Sequence, residues 1–314
     1  MNPLSKTSVI NMDMLELLQT YAIKEGINQT PWPDLVIFRA DQPAACIPVV
    51  YEPSLCIVAQ GRKTVYLDHE TFIYDPLNYL VVGLPLPVEA EITEASQSEP
   101  FLSLKLNINL STLNELLIDI NDDIQSDDIA RAIYSSPMSP ILSNAVLRLL
   151  KSLCDHRDRR ILAPLAIREI LYHILIGEQG GLLRSLILRD SRSHRIGNVL
   201  GYMQDHYQKS LGIDELAEKA CMSPSSFYHN FKSVTSLSPL QYLKMIRLHQ
   251  ARLMMINTGA NAAQAGQTVG YNSASQFSRE FKRTFGVTPG EELKRLNNNN
   301  QQQPTSSTIK ELYS

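Results

Sequence analysis

The 314-residue sequence predicts a mixed fold in two domains: a β-rich sandwich or barrel with flanking helices, then an all-α domain carrying two helix-turn-helix units. Three observations lead there. The chain is longer than the ~100–150 residues of an ordinary single core. Its hydrophobic pattern changes from short alternating runs to helical periods after Ser111. The C-terminal part also repeats itself with a period of fifty, Ser225, Phe227, Phe231, Lys232 and Pro239 recurring as Ser275, Phe277, Phe281, Lys282 and Pro289. A composition of 44% hydrophobic and 19% charged residues excludes disordered, collagenous and fibrous classes.

The N-terminus, MNPLSKTSVINMDML, lacks the apolar core of a signal peptide. The longest apolar run, 80–88, is broken by Gly83, Pro85 and Pro87 and falls short of the ~20 residues a membrane helix needs. Four cysteines without a CxxC pair suit reduced thiols, so a cytoplasmic location and no membrane partner are expected. Residues 35–38, 55–59, 64–67, 79–82 and 101–108 read as strands: short, rich in β-branched and aromatic residues, bounded by turn formers. In FLSLKLNI, Phe101, Ser103, Lys105 and Asn107 alternate with Leu102, Leu104, Leu106 and Ile108, the mark of a half-buried strand. Many short, closely spaced strands indicate a sandwich or barrel, placed at about 30–110.

Helices follow at about 112–185. Residues 114–120, 141–154 and 161–176 carry apolar side chains three and four apart, with Ile141, Leu142, Ala145, Val146 and Leu149 on one face that closes the barrel or pairs with a second subunit. The polar DSRSHR, 190–195, reads as the interdomain linker, which gives domains at 1–190 and 191–296. The tail, 297–314, is low-complexity polar sequence and is expected to be disordered.

Two copies of fifty residues are too few for a solenoid, so each is a small helical unit, at about 211–233 and 261–284. In the first, a helix over 211–220 ends at Cys221 and Met222, Ser223 caps the next helix, and Pro224 opens it where no amide donor is needed. In the second, a helix over 261–269 meets Gly270, which tolerates a left-handed turn, and Ser273 caps the next. Phe227 and Phe231, and Phe277, Phe281 and Phe285, face inward by their four-residue spacing. That leaves Ser225, Tyr228, His229 and Lys232 outward on one helix, and Ser275, Ser278, Arg279, Lys282 and Arg283 on the other. Hydroxyls, an imidazole, an arginine and lysines are groups that bond base edges and phosphates. Ser225, Tyr228, His229, Ser275, Ser278 and Arg279 are therefore assigned to bases, with Arg279 suited to a bidentate guanine contact, and Lys232, Lys282 and Arg283 to phosphates. The helix at 240–256 would set the two units one DNA turn apart, ~34 Å.

Charge agrees once it is divided. The total of −3 conceals 13 basic against 7 acidic side chains over 192–296, a formal +6, and 15 against 24 over 1–191, a formal −9. A basic helical unit joined to an acidic one is the footprint of a double-stranded DNA reader with a separate partner domain.

At these residues the sequence resembles the AraC/XylS family of bacterial transcription regulators. IDELAEKACMSPSSFYHNFKSVTSLSPLQYLKMIRLHQAR is similar to its first helix-turn-helix and connecting helix, and VGYNSASQFSREFKRTFGVTP to its second. VYEPSLCIVAQGRKTVYL and YDPLNYLVVGLPLPVEAEITEAS resemble the cupin-like N-terminal domain of one subgroup. The resemblance implies a cupin-like barrel that binds a small-molecule effector, a homodimer, and activation of a promoter through RNA polymerase. His229 stands where many members have arginine, Ala265 and Gly266 replace the usual Ile-Ala pair, and Glu292 replaces a tyrosine.

The alternatives are a cupin-type enzyme and a redox or electrophile sensor acting through Cys56. A metal-dependent cupin needs clustered histidines and a carboxylate, whereas residues 1–155 hold only His69, in the polar turn DHET. No metal, no cofactor and no catalytic residue is therefore expected. Cys56 reads first as a small buried hydrophobe, and as a sensing thiol only second.

Overall fold

The computed structural model describes residues 3–120, 131–188 and 191–299, with side chains from residue 12 to residue 294. Helix α1 (Pro3–Tyr21) opens the chain. Nine strands follow: β1 (Gly26–Gln29), β2 (Leu35–Ala40), β3 (Ala44–Tyr51), β4 (Ser54–Gln60), β5 (Arg62–Leu67), β6 (Glu70–Tyr74), β7 (Asn78–Val82), β8 (Leu86–Glu94) and β9 (Phe101–Asn107). After α2 (Leu110–Ile120), strand β10 (Ile133–Pro137) returns to the sheet, and α3 (Pro140–Ser152), α4 (His156–Ile176) and α5 (Gly181–Ile187) complete the N-terminal half.

The strands form two antiparallel sheets, ordered β1-β2-β9-β4-β7-β10 and β3-β8-β5-β6, that enclose a barrel-like interior. The six-stranded sheet has no solvent face. Its Leu35, Ile37, Leu55, Ile57, Leu104 and Leu106 are buried on one side, and α1 packs on β4 and β9 there with Met14 and Leu18 fully covered. On the other side Cys56 pairs with Lys105 across β4 and β9, and Val36 pairs with the same lysine across β2 and β9. The alternation in FLSLKLNI is thus real, but its polar set, Ser103 and Lys105, faces the lumen rather than water.

Sequence patterns located five strands and missed β1, β3, β6, β8 and β10, as well as α1. Strand β8 alternates from Val88 onward, with Val88, Ala90 and Ile92 buried between Glu89, Glu91 and Thr93, but it opens inside the proline-broken stretch 80–88, while β10 lies beyond the expected barrel limit of about 110. The apolar face of α3 is consumed within the chain: Leu142, Ala145, Val146, Leu149 and Leu150 are buried where α3 packs on α1 and α4. Only Ile141 of that set remains exposed.

Of the expected linker, 191–195 form the cap and first turn of a helix, and Asp190 lies outside the described residues. Ser191 caps α6 (Arg192–His206) by accepting from His194 N at 3.0 Å, and Ser193 is fully buried. His194 Nδ1 meets Leu186 O at 2.6 Å, which joins the cap back to α5. The polarity that suggested a loop belongs to a helix start, since serine competes well for orphan amides. Six helices then follow: α7 (Ile213–Lys219), α8 (Pro224–Thr235), α9 (Pro239–Thr258), α10 (Ala262–Thr268), α11 (Ala274–Phe285) and α12 (Pro289–Asn299). Residues 297–299 are thus helical, contrary to expectation, and the rest of the tail lies outside the described residues.

Two hydrophobic cores result, and they divide within α9 and not at the border expected near 191. One runs from α1 through the barrel and α3–α8 as far as Ile246, in the middle of α9. The second is small, built from Leu248, Ala251, Met255, Ala265, Val269, Tyr271, Phe277 and Phe281. The first helix-turn-helix is therefore fused to the barrel. Tyr242 marks the seam: its ring meets Phe231 edge-on at 5.6 Å, and its hydroxyl donates to Pro85 O at 3.0 Å in the β7–β8 connection. Ala132 N also donates to Val234 O at 3.0 Å, and an added Cβ on Gly197 would lie 2.9 Å from Leu84.

Because the Tyr242 hydroxyl is buried and Pro85 O is its acceptor, Tyr242→Phe should lower the stability of the full-length chain by ~1 kcal/mol. Urea unfolding measures this, and an unchanged midpoint would show that the seam bond contributes nothing.

Candidate nucleic-acid interface and barrel cavity

In the first unit, α7 ends at Ala220 and the chain reverses through Cys221, whose φ of 52° is left-handed. In the second, α10 reverses through Gly270 at φ 94°. Cys221 thus accepts a conformation that usually falls to glycine. The turn in the second unit is one residue longer, since the first helices are offset by 49 residues and the second helices by 50. Both serine caps form as expected: Ser223 accepts from Ser226 N and Ser273 from Gln276 N, each at 3.3 Å.

The inward phenylalanines set the outward faces. Phe227 and Phe231 are fully buried with ring centroids 5.5 Å apart, and Phe277 and Phe281 repeat the same 5.5 Å pair. Phe285 is only partly covered, against Phe281 and His249. On α8, Ser225, Tyr228, His229 and Lys232 are exposed, with Tyr228 at 47% despite its large apolar ring. On α11, Ser275, Arg279, Lys282 and Arg283 are exposed, while Ser278 is half-buried. Arg279 Nε lies 3.4 Å from Ser275 O one turn back.

Three features hold the second unit: Gly266 and Glu292, noted in the sequence only as departures from the family pattern, and Arg247, which the sequence did not single out. Gly266 lets α10 approach α11, because a Cβ there would lie 2.9 Å from the Phe277 ring. Glu292 is buried and paired with Arg252, whose Nε and a terminal nitrogen lie 2.7 and 2.6 Å from one carboxylate oxygen. Arg247 donates to three carbonyls, Tyr207 O at 2.6 Å, Lys209 O at 2.7 Å and Gly270 O at 3.3 Å, and so ties α9 to the end of α6 and to the second turn. Helix α11 also touches β3 of the barrel.

The barrel interior holds a cavity of about 80 Å³ that is open to solvent. Ile27, Val36, Phe38 and Val50 supply apolar wall, and Glu52, Lys63 and Lys105 supply charge. Tyr51 and Tyr74 join hydroxyls at 3.0 Å, and Lys63 Nζ lies 5.3 Å from the Tyr51 ring centroid and 5.6 Å from that of Phe38. Cys56 lines the cavity and is buried. Burial pushes its thiol above the usual range, against the opposing pull of Lys105 and Lys63, which leaves it a poor thiolate for sensing. Cys46, Cys154 and Cys221 are exposed free thiols. His69 stands solvated in the β5–β6 turn, and among the described residues no three metal-ligating side chains cluster. No described helix is long and apolar enough to cross a membrane.

Comparison with known proteins agrees with this arrangement. Residues 31–182 match the model of the AraC-type transcriptional regulator N-terminus, and residues 216–295 match a helix-turn-helix domain. The probable transcriptional regulator LumQ of Photobacterium leiognathi is 35% identical over 249 residues, covering 76% of this chain and 95% of LumQ. The chain belongs to the AraC-type transcriptional regulators. ExsA of Pseudomonas aeruginosa, an HTH-type transcriptional regulator, is 27% identical, with 76% of this regulator and 84% of ExsA covered. In fold, the regulator is similar to unsaturated fatty acid bound ToxT from Vibrio cholerae, with a TM-score of 0.54 at 12% identity over 85% of this chain and 95% of ToxT.

One buried group makes the second core sensitive to acid. His249 is pushed down to about 3, first by burial and then by the positive charge of Arg252. The folded chain holds the imidazole neutral, while the unfolded chain protonates it near pH 6.5. Unfolding therefore takes up a proton between pH 6.5 and about 3, and stability falls as pH falls through that window, by up to ~1.4 kcal/mol per pH unit. Thermal melts of the wild type and His249→Leu between pH 7 and 4.5 measure this. Parallel slopes for the two proteins would refute it.

Proposed function

We propose that this regulator is a sequence-specific transcription activator, and not an enzyme, whose barrel senses a small molecule and whose two helix-turn-helix units read a promoter. The observation that carries the reading is the pair of exposed polar and basic faces held outward by matching phenylalanine pairs on α8 and α11. The domains are residues 1–190, for effector binding and dimerisation, and 191–296, for DNA. Ser225, Tyr228, His229, Ser275, Ser278 and Arg279 contact bases, and Lys232, Lys282 and Arg283 contact phosphates. The two recognition helices enter successive major grooves, ~34 Å apart. Activation proceeds through RNA polymerase, in the cytoplasm.

The effector site is the barrel cavity. Val50 and Tyr51 of β3 line it, and β3 also touches α11, so occupancy has a short route to the second recognition helix. A fold neighbour crystallised with an unsaturated fatty acid supports a small molecule as the occupant. The buried, acid-weak thiol of Cys56 favours this reading over a redox sensor.

Gel shifts on DNA upstream of the regulator's own gene test the base and phosphate assignments. Arg279→Ala should cost specific binding ~1–3 kcal/mol and spare nonspecific binding. Lys282→Ala should weaken both alike and reduce the salt slope by about 1. If Arg279→Ala weakens all sequences equally, its base contact is wrong.

The homodimer, expected through α3, is reassigned to α4. Ile161, Leu165, Tyr172 and Ile176 leave an apolar row exposed along α4 at 65%, 60%, 38% and 48%, a pattern suited to pairing with a second copy. Sedimentation at micromolar concentration should show a dimer for the wild type and a monomer for Leu165→Glu. A common species for both would remove α4 from the interface.

A further inference from the structure

The charges that face the barrel lumen do not cancel. Of the cavity's lining residues, Lys63 and Lys105 are cationic and Glu52 is the single carboxylate, so the cavity carries a formal +1 within largely apolar walls. Lys105 stands opposite Cys56 across β9 and β4, and Lys63 lines the same cavity. Lys63 is held by ring faces, Phe38 and Tyr51, which attract the cation without neutralising it. An apolar cavity with a surplus cation favours an apolar ligand of one negative charge, since burying a charge is costly unless it is paired.

Glu52 gives the same site an exit. It lines the cavity, and its carboxylate accepts from Gln204 Nε2 of α6 at 3.3 Å. Burial raises the Glu52 carboxyl above the usual range, opposed by the Gln204 bond and by Lys105. An anion seated at Lys105 enters the same lumen as the Glu52 carboxylate, and repulsion between the two negative charges bears on the bond from Gln204 in the first helix of the DNA-binding half.

We propose that the lumen binds an apolar monocarboxylate with its head group at Lys63 and Lys105, and that the Glu52–Gln204 contact carries occupancy to the DNA-binding half. The inference rests on the barrel being the effector site, and the experiment separates the two.

Calorimetric titration of the full-length chain with decanoate and with decanol, its neutral counterpart, is the test. Decanoate should bind at least tenfold more tightly than decanol. In the Lys63→Met/Lys105→Met double variant the two should bind within twofold of each other, with decanol affinity unchanged. Each single variant, which retains one cation, should fall between, and guards against misfolding of the double variant. Equal binding of both probes to the wild type, or a preference that survives in the double variant, overturns the carboxylate assignment while leaving the cavity as an effector site. Binding of neither overturns both. For the relay, decanoate should change the DNA affinity of the wild type at least fivefold and that of Glu52→Gln less than twofold. A full response in Glu52→Gln overturns the relay alone.

Discussion

The burial of two phenylalanines one turn apart, made twice, is the constraint on which this regulator depends. Phe227 with Phe231 and Phe277 with Phe281 fix the rotation of α8 and α11 about their own axes. Once those rings are inside, the positions three and four residues away face outward, and the basic and hydroxyl side chains there are presented together. The serine caps and the left-handed turns at Cys221 and Gly270 set where each helix begins. The aromatic pairs decide what it shows.

The same pairs are embedded differently, and the difference bears on control. Phe231 packs on Tyr242, whose hydroxyl reaches the barrel, so the first unit shares the barrel's hydrophobic core. The second unit has a small core of its own, joined by the later part of α9, by Arg247 and by the touch of α11 on β3. A small core has less buried apolar area to resist displacement. Occupancy of the lumen can therefore reach the two units by separate routes, through Glu52 and α6 to the first and through β3 to the second.

Two departures from the family pattern make sense within that small core. Glu292, in place of a tyrosine, is buried but paired with Arg252, and removing either partner would leave the other charge stranded. Gly266, in place of the alanine of the usual pair, gives up a side chain so that the Phe277 ring can approach α10. Each of the two residues meets a partner that fits it within that core.

The sequence by itself determined a sheet-rich N-terminal region followed by a helical one, the doubled helix-turn-helix and nearly all of the outward-facing residues, because those follow from local periodicity, capping and spacing. It also contained the barrel cavity in disguise: the alternation in FLSLKLNI correctly separated Ser103 and Lys105 from the leucines. Only the tertiary structure could say that this polar face looks into a lumen, since period-two alternation reports two faces and not what covers each. It alone showed Ser191 to be a buried cap rather than a linker, the α3 face to be spent on α1 and α4, and β1, β3, β6, β8 and β10 to complete the sheets. The juxtaposition of Glu52 with Gln204, 152 residues apart, likewise has no local signature, for it exists only where the closed barrel meets the first helix of the DNA-binding half.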